Sequence, residues 1–170
     1  MPKIIENLEP RLLEEAKKQI NENGYGAMTI RSVASACGVS VGTVYNYFDS
    51  KDALVATYML NDWMECMTII RDSSMISANP KPVARAVYEQ LCEYAKRHQS
   101  VFQDPSASSA FAGSFSRYHA LLRQQLAEPL QKFCADYFHA EFIAESLLTW
   151  TMAQKSFDEI YGVISKLFCE

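Results

Sequence analysis

The chain has 170 residues, of which 49% are hydrophobic and 21% charged, and its net charge at pH 7 is -4. This composition is that of a globular protein of one or at most two domains with a sizeable core. The few glycines and prolines, six of each, exclude a turn-rich sandwich or barrel, and the acidic balance gives no sign of nucleic-acid binding. No apolar run is long enough to cross a membrane or resembles a secretion signal, so we expect a cytoplasmic protein that does not associate with membranes.

Helical periodicity dominates the first part of the chain. A first helix begins near residue 9 and ends near Gly24, which tolerates positive φ. Thr29 is placed to cap a second, short helix, and Gly38 ends it. Ser40 is placed to cap a third helix that runs to about residue 48, and Ser50 a long fourth helix of about five turns. The sequence therefore predicts three short helices followed by a long one.

The remaining helices are separated by proline-containing breaks. A linker is predicted at residues 73–82, with Pro82 starting a fifth helix. A polar break follows at residues 103–109, around Pro105. A later helical segment contains Pro129, which should kink it. The last segment, residues 141–168, divides near residues 154–156. Since no strand pattern is present, the predicted fold class is all-α.

The cysteines and histidines show no metal-ligand spacing. The five cysteines are far apart and include no C-x-x-C pair, so neither a disulfide framework nor a zinc site is predicted. His98, His119 and His139 are also widely separated. We therefore predict no metal and no cofactor. Redox sensing through Cys66 or Cys92 stays an alternative to simple reduced thiols.

Residues 30–49 predict a helix–short turn–helix of the DNA-binding type. Ala34 is small where the two helices approach each other, and Gly38 occupies the turn. The second helix leaves small, polar and aromatic side chains on its outer surface. The alternative is a three-helix bundle with no DNA role, but this leaves exposed Tyr45 and Tyr47 unexplained.

The segment from Gly24 to Leu54 reads G-Y-x-x-x-T-I-R-x-V-A-x-x-x-G-V-S-x-G-T-V-Y-N-Y-F-x-S-K-x-x-L. It resembles the DNA-binding region of the TetR family of transcriptional regulators. The resemblance is strong over about the first third of the chain, and beyond it rests on helix number and length. It implies an N-terminal three-helix helix-turn-helix DNA-binding domain at residues 1–50. A C-terminal helical effector-binding and dimerisation domain would follow at residues 51–170.

By this resemblance the third helix enters the major groove of double-stranded DNA. Tyr45 matches a phosphate-contacting tyrosine, and Lys51 matches a lysine that binds phosphate at a helix N-terminus. Tyr47 stands where many members have histidine, so the chain departs from the family pattern at this phosphate-contacting position. The implied DNA-binding residues are Thr29, Arg31, Ser40, Val41, Gly42, Thr43, Tyr45, Tyr47 and Lys51.

The charge of the predicted reading surface differs from that of the whole chain. Between Met28 and Lys51 the only charged residues are Arg31, Asp49 and Lys51. This segment thus has few acidic residues that would repel DNA phosphates, and it also has few basic residues that would attract them. We expect modest nonspecific DNA affinity with a shallow salt dependence.

The resemblance also implies a small-molecule effector pocket and a homodimer through the last two helices, residues 141–154 and 157–168. The candidate pocket residues are Met67, Tyr88, Cys92, Phe111 and Tyr118. The alternatives are that these side chains are ordinary core and that the apolar stripe of the last helix packs within its own subunit.

The leading hypothesis is a homodimeric, ligand-responsive DNA-binding transcriptional regulator. It is expected to be a repressor that an unidentified effector releases from a palindromic operator. The alternative is a helical small-molecule carrier or sensor with a vestigial DNA-binding module. An enzyme is not predicted, because the sequence contains no nucleophile–base pairing, carboxylate dyad or phosphate loop.

Overall fold

The structure is a computed structural model that describes residues 7–169, with the side chains of residues 114–116 excepted. The described residues form ten α-helices, and the only β-type pairing among them is an isolated bridge between Cys134 and Phe168. The predicted all-α fold class is confirmed. The helices are α1 (Leu8–Asn23), α2 (Ile30–Ala36), α3 (Val41–Tyr45), α4 (Lys51–Ile76), α5 (Pro80–Arg97), α6 (Gln99–Phe102), α7 (Pro105–Phe111), α8 (Phe115–Leu130), α9 (Tyr137–Met152) and α10 (Phe157–Ile164).

The chain divides into two compact units, and helix α4 contributes to both. The first unit contains residues 1–62, described from residue 7, together with residues 98–112. The second contains residues 63–97 and 113–170, described to residue 169. In the described chain, no helix combines the length and apolar character that crossing a bilayer requires. The proposed functional boundary at residue 50 is a separate matter and stays a prediction.

The core of the first unit is built on α1, whose buried residues share one helical face. This face packs with buried side chains of α2, α3 and the start of α4, including Val33, Val44 and Leu54. Segment 98–112 adds Val101 and Ala107 to the same core. The short helices α6 and α7 therefore belong to the helix-turn-helix unit although they lie far from it in sequence.

The core of the second unit lies among α5, α8, α9 and α10. Helix α9 places Ile143 and Leu147 in its centre, both with no exposed surface. Leu126 of α8 and Leu91 of α5 pack in the same cluster, as does Ile160 of α10. This helix-on-helix core, with its apolar faces turned inward, positions the outer faces of α8, α9 and α10.

The loop between α4 and α5 is shorter than predicted, since only residues 77–79 separate the two helices. The predicted linker at residues 73–82 is therefore wrong in extent. The Lys132 ammonium donates to the carbonyl oxygens of Ser74 and Ser77 and so satisfies the C-terminal turn of α4. Pro80 starts α5 because a proline in the first turn gives up no helical hydrogen bond.

Two other helix boundaries differ from the predictions. Helix α3 ends at Tyr45 rather than near residue 48, because tighter backbone bonds follow it, such as Tyr47 N–H to Val44 O at 3.0 Å. Pro105 starts α7 rather than lying in a break, since Asp104 caps the helix. Pro129 lies inside α8, in its last turn, and the kink expected there stays a prediction.

The final helix begins with a reciprocal cap. The Ser156 N–H donates to Glu159 Oε2 at 2.9 Å, and the Glu159 N–H donates to Ser156 Oγ at 3.3 Å. The Lys155 ammonium also reaches Glu159 Oε1 at 3.2 Å. The Ser156 backbone N–H, followed by its hydroxyl and by Lys155, lowers the pKa of Glu159 to about 2. The ionised Glu159 carboxylate thus fixes the start of α10.

This cap makes stability depend on pH in a defined direction. Because the Glu159 pKa is lower in the folded chain, its contribution is present above the ordinary value of 4.5 and is lost as pH falls towards 2. Glu159→Gln should lower the free energy of unfolding near neutral pH, and the difference from wild type should shrink in acid. Urea unfolding at about pH 6 and about pH 3 measures this. Asp158→Asn is the control, and a difference independent of pH would contradict the assignment.

Candidate nucleic-acid interface

The turn between α2 and α3 depends on a glycine in a left-handed conformation. Gly38 has φ of 70°. Its N–H donates to Ser35 O at 3.1 Å, and the Val39 N–H donates to Ala34 O at 3.0 Å, which closes the end of α2. A Cβ at Gly38 would meet no atom within 4 Å. The backbone conformation, not a lack of space, is what requires glycine here.

Gly38→Ala should therefore destabilise the chain by about 1 kcal/mol, the typical cost of a left-handed conformation for a residue with a Cβ. Urea unfolding measures the loss. Gly113→Ala is a matched control, because a Cβ there also meets no atom within 4 Å and the backbone φ is not positive. Equal stability of the two variants would show that the turn does not constrain Gly38.

Hydroxyl groups hold the N-termini of the two helices. Thr29 and Ser32 cap α2 reciprocally, with the Ser32 N–H 3.0 Å from Thr29 Oγ1 and the Thr29 N–H 3.1 Å from Ser32 Oγ. Ser40 Oγ accepts from the Thr43 N–H at 3.1 Å and lies 2.8 Å from Thr43 Oγ1. Three of the predicted DNA-binding residues, Thr29, Ser40 and Thr43, thus also shape the helix ends. Arg31, beside them, is exposed.

The outer face of α3 presents Gly42 and Tyr45. A Cβ at Gly42 would meet only Ser40 Oγ, at 3.8 Å, and the Gly42 φ is not positive. The fold therefore has room for a side chain at this helical position, where glycine is unfavourable. Tyr45 is 50% exposed. Val41 and Tyr47 are half-buried against the core of the first unit.

Lys51 points back to the domain rather than outward. Its ammonium donates to the Tyr25 carbonyl and lies 4.0 Å from the centre of the Tyr25 ring. Burial lowers the pKa of Lys51, although Asp52 and Asp104 act in the opposite direction. The Tyr25 hydroxyl donates to Asp52 Oδ1. The phosphate contact implied for Lys51 stays a prediction, and it requires the ammonium to leave or share these contacts.

Two long-range contacts that position this surface were not predicted from sequence. The Gly26 N–H, in the loop before α2, donates to Asp104 Oδ2 at 3.0 Å. This hydrogen bond lowers the pKa of Asp104, and the hydrogen bonds from the Ser106 and Ala107 N–H groups lower it by smaller amounts. Arg11 of α1 donates to Cys37 O at 3.1 Å, at the turn. The sequence predicts only a polar break at residues 103–109, and nothing in it identifies the distant partner of Asp104.

A cluster of charged and aromatic side chains supports α1 and α4. The Lys17 ammonium is 2.9 Å from Asp62 Oδ2, and His98 Nε2 is 3.1 Å from the same oxygen. His98 is only 1% exposed and stacks on Tyr58 with 5.6 Å between ring centres. His98 thus serves as a structural residue, and no group of three or more metal-ligating side chains occurs in the described part of the chain.

The five predicted effector-pocket residues are spread over both units. Phe111 lies in the first unit, 6.1 Å from the Tyr25 ring. Met67 is buried in the core of the second unit, and Tyr88 packs there against Phe157. Cys92 is exposed, and Tyr118 lines an open groove on α8 and α9. A pocket formed by these residues stays a prediction.

Two short helices joined at Gly38, with capped N-termini and an outward face of small and polar residues, define a helix-turn-helix protein. All nine predicted DNA-binding residues lie in the first unit, on or next to this motif. The comparisons with known proteins agree with this class. Residues 12–58 match the family model "Bacterial regulatory proteins, tetR family".

Related proteins carry the same segment. The chain is 31% identical to the HTH-type transcriptional regulator UidR of Escherichia coli K12 over 62 residues, which are 36% of this chain and 32% of UidR. It is 28% identical to the HTH-type transcriptional repressor KstR2 of Mycobacterium tuberculosis over 119 residues, 67% of this chain and 58% of KstR2. The chain thus spans less than two thirds of either relative.

The fold has solved counterparts over nearly its whole length. The TetR family repressor AlkX from Dietzia sp. strain DQ12-45-1b superposes with a TM-score of 0.61 at 17% identity, covering 96% of this chain and 99% of AlkX. Residues 12–58 thus match the tetR family model, and the fold of the chain resembles that of a TetR family repressor.

Proposed function

We propose that the protein is a cytoplasmic, homodimeric repressor that binds a palindromic operator in double-stranded DNA and leaves it when a small-molecule effector binds. The observation that carries the DNA-binding part is Gly42. It is a helical glycine on an exposed surface, where the fold itself leaves room for a side chain. A glycine at this position allows the α3 backbone to approach the DNA groove closely, because it has no side chain.

The proposed dimer interface is formed by α9 and α10. Phe138, Phe142 and Trp150 lie on one side of α9 at helical spacing and are 70%, 50% and 50% exposed. Val163 of α10 is 66% exposed and, with Trp150, lines a mainly apolar groove of about 300 Å³. A second copy related by a two-fold axis covers the same faces on both chains, which suits a self-complementary interface.

The dimer gives the DNA target its symmetry. Each chain places one α3 in a major groove, so the two half-sites are related by the two-fold axis of the protein. An effector that binds more tightly to a dimer with a different separation of the two α3 helices lowers DNA affinity by the same coupling free energy. No catalytic step is proposed.

A mobility-shift titration with the DNA that flanks the protein's own gene tests this proposal. We expect a discrete complex with one dimer per palindromic site. A carrier with a vestigial DNA module instead binds small molecules and shifts no palindromic fragment. A confirmed dimer that shifts none of the flanking palindromes would overturn the repressor function.

Tyr45 offers a milder test of the phosphate contacts. Tyr45→Phe should weaken DNA binding by about twofold to tenfold, because one neutral hydrogen bond contributes about 0.5–1.5 kcal/mol. The loss should be similar for operator and random DNA, since phosphate contacts carry no sequence information. Fluorescence anisotropy measures both affinities. Tyr118→Phe is a matched control, because Tyr118 is also 50% exposed but lies in the second unit. Equal affinities of the two variants would remove Tyr45 from the interface.

A further inference from the structure

The second unit carries an open groove of about 660 Å³ along α8 and the start of α9. This volume lies in the range of small-molecule sites, roughly 300–1,000 Å³. Its walls include Tyr118, Leu121 and Tyr137, which are 50%, 44% and 39% exposed. Three large, partly apolar side chains are thus exposed to water along one groove. A ligand with an apolar body would bury this surface, which favours binding.

Several polar side chains of this groove can donate hydrogen bonds. Arg117, Tyr118, Gln124 and Tyr137 line it, and each of these side chains carries at least one donor. Among the described residues that line the groove, only Glu141 is acidic, and it faces Arg123, with 3.6 Å between Arg123 Nε and Glu141 Oε1. The carboxylate of Glu141 is therefore already paired within the groove. Several other side chains remain able to donate hydrogen bonds to a bound anion.

The two arginines that line the groove, Arg117 and Arg123, differ in their ion pairs. Arg123 also lies 3.7 Å from Glu145, so its charge is shared between two carboxylates. Arg117 is exposed and makes no ion pair with any residue of the described ranges. The planar guanidinium of Arg117, in a groove that two tyrosines also line, matches the planar geometry of a carboxylate.

We propose that this groove is the effector site and that its ligand is a small organic carboxylate with an apolar aliphatic or aromatic body. The carboxylate pairs with Arg117, and the apolar body lies against Leu121 and the two tyrosine rings. This inference rests on the proposed function for its regulatory meaning, but the binding site itself does not depend on DNA. Of the five residues predicted from sequence to line an effector pocket, only Tyr118 belongs to this groove.

Isothermal titration calorimetry with the full chain tests the site. The probes are octanoate and phenylacetate, each paired with its uncharged amide. Wild type should bind the acids at least about tenfold more tightly than the amides, as expected for a charge-assisted bond. Arg117→Gln should remove that preference while leaving amide binding unchanged. Arg71→Gln is the control, because Arg71 is an exposed arginine of α4 that pairs with Glu128 at 3.1 Å.

The results separate this inference from the proposed function. Acid binding that depends on Arg117 supports the site whether or not the chain binds DNA. Operator binding without any acid binding overturns the site and leaves the repressor function standing. Acid binding that Arg117→Gln does not change also overturns it. If the acids do not bind and Leu121→Arg shifts the monomer–dimer equilibrium in sedimentation, the groove is an interface between copies, which also contradicts the proposal.

Discussion

Replacing both Phe142 and Trp150 by aspartate should convert the proposed dimer to a monomer and weaken binding to a palindromic operator by about a hundredfold or more. Both side chains are half exposed on α9. In the dimer each substitution buries a carboxylate without a partner on both copies, which strongly opposes association. A monomer also loses the high effective concentration with which one bound half-site presents the second recognition helix.

Sedimentation velocity and fluorescence anisotropy measure the two parts of this result. The control exchanges Met75 and Ile76 for aspartate, since these residues of α4 are 75% and 87% exposed and lie outside the last two helices. The control should stay dimeric and bind DNA as wild type does. A dimeric Phe142→Asp/Trp150→Asp variant would place the interface elsewhere.

Gly42→Leu should weaken operator binding by about a hundredfold or more, because several base contacts of about 1–3 kcal/mol each are lost when α3 is held away from the groove. The same change should raise the free energy of unfolding, by about 0.5–1 kcal/mol, since leucine is a better helix former than glycine. The structure allows this gain, because a Cβ at Gly42 has only an ordinary contact with Ser40 Oγ.

The opposite signs of these effects make the Gly42 experiment decisive about function. A variant that loses DNA affinity by misfolding also loses stability, whereas Gly42→Leu should gain it. Urea unfolding and anisotropy on the same preparation provide both values. Gly42→Ala should lie between wild type and Gly42→Leu in DNA affinity. A stabilised Gly42→Leu variant with unchanged operator affinity would show that α3 does not enter a groove.

The helix-turn-helix is predictable from sequence because its determinants are local. Thr29, Ser40 and Gly38 each act within a few residues, through helix caps and a left-handed turn. The end of α4 was not predictable in the same way. Lys132, far along the chain, donates to the carbonyl oxygens of Ser74 and Ser77 at the end of α4, which extends to Ile76. Local signals thus fix the motif, and distant side chains fix the lengths of the helices around it.

The contacts that support the motif were also out of reach of sequence reasoning. The partner of Gly26 is Asp104, and the partner of Lys17 is Asp62. Each contact joins segments that only the folded core brings together. Both acids are single charges among many in the sequence, so neither residue type nor spacing distinguishes them from surface carboxylates.

Helical spacing alone also does not separate core from surface among the large side chains of the second unit. Met67 and Tyr118 were both predicted to line a pocket from the same kind of pattern. Met67 is 2% exposed in the core, whereas Tyr118 is 50% exposed in the groove of α8. The difference depends on which face of each helix meets another helix, which is a property of the tertiary fold.

An anisotropy titration of the purified chain against palindromic fragments from the DNA beside its gene, at one fixed salt concentration, tests whether the chain is a sequence-specific DNA-binding dimer. We predict saturation at two chains per palindrome, with an affinity at least about a thousandfold above that for random DNA of equal length. A folded, dimeric chain that binds every palindrome no more tightly than random DNA would contradict it.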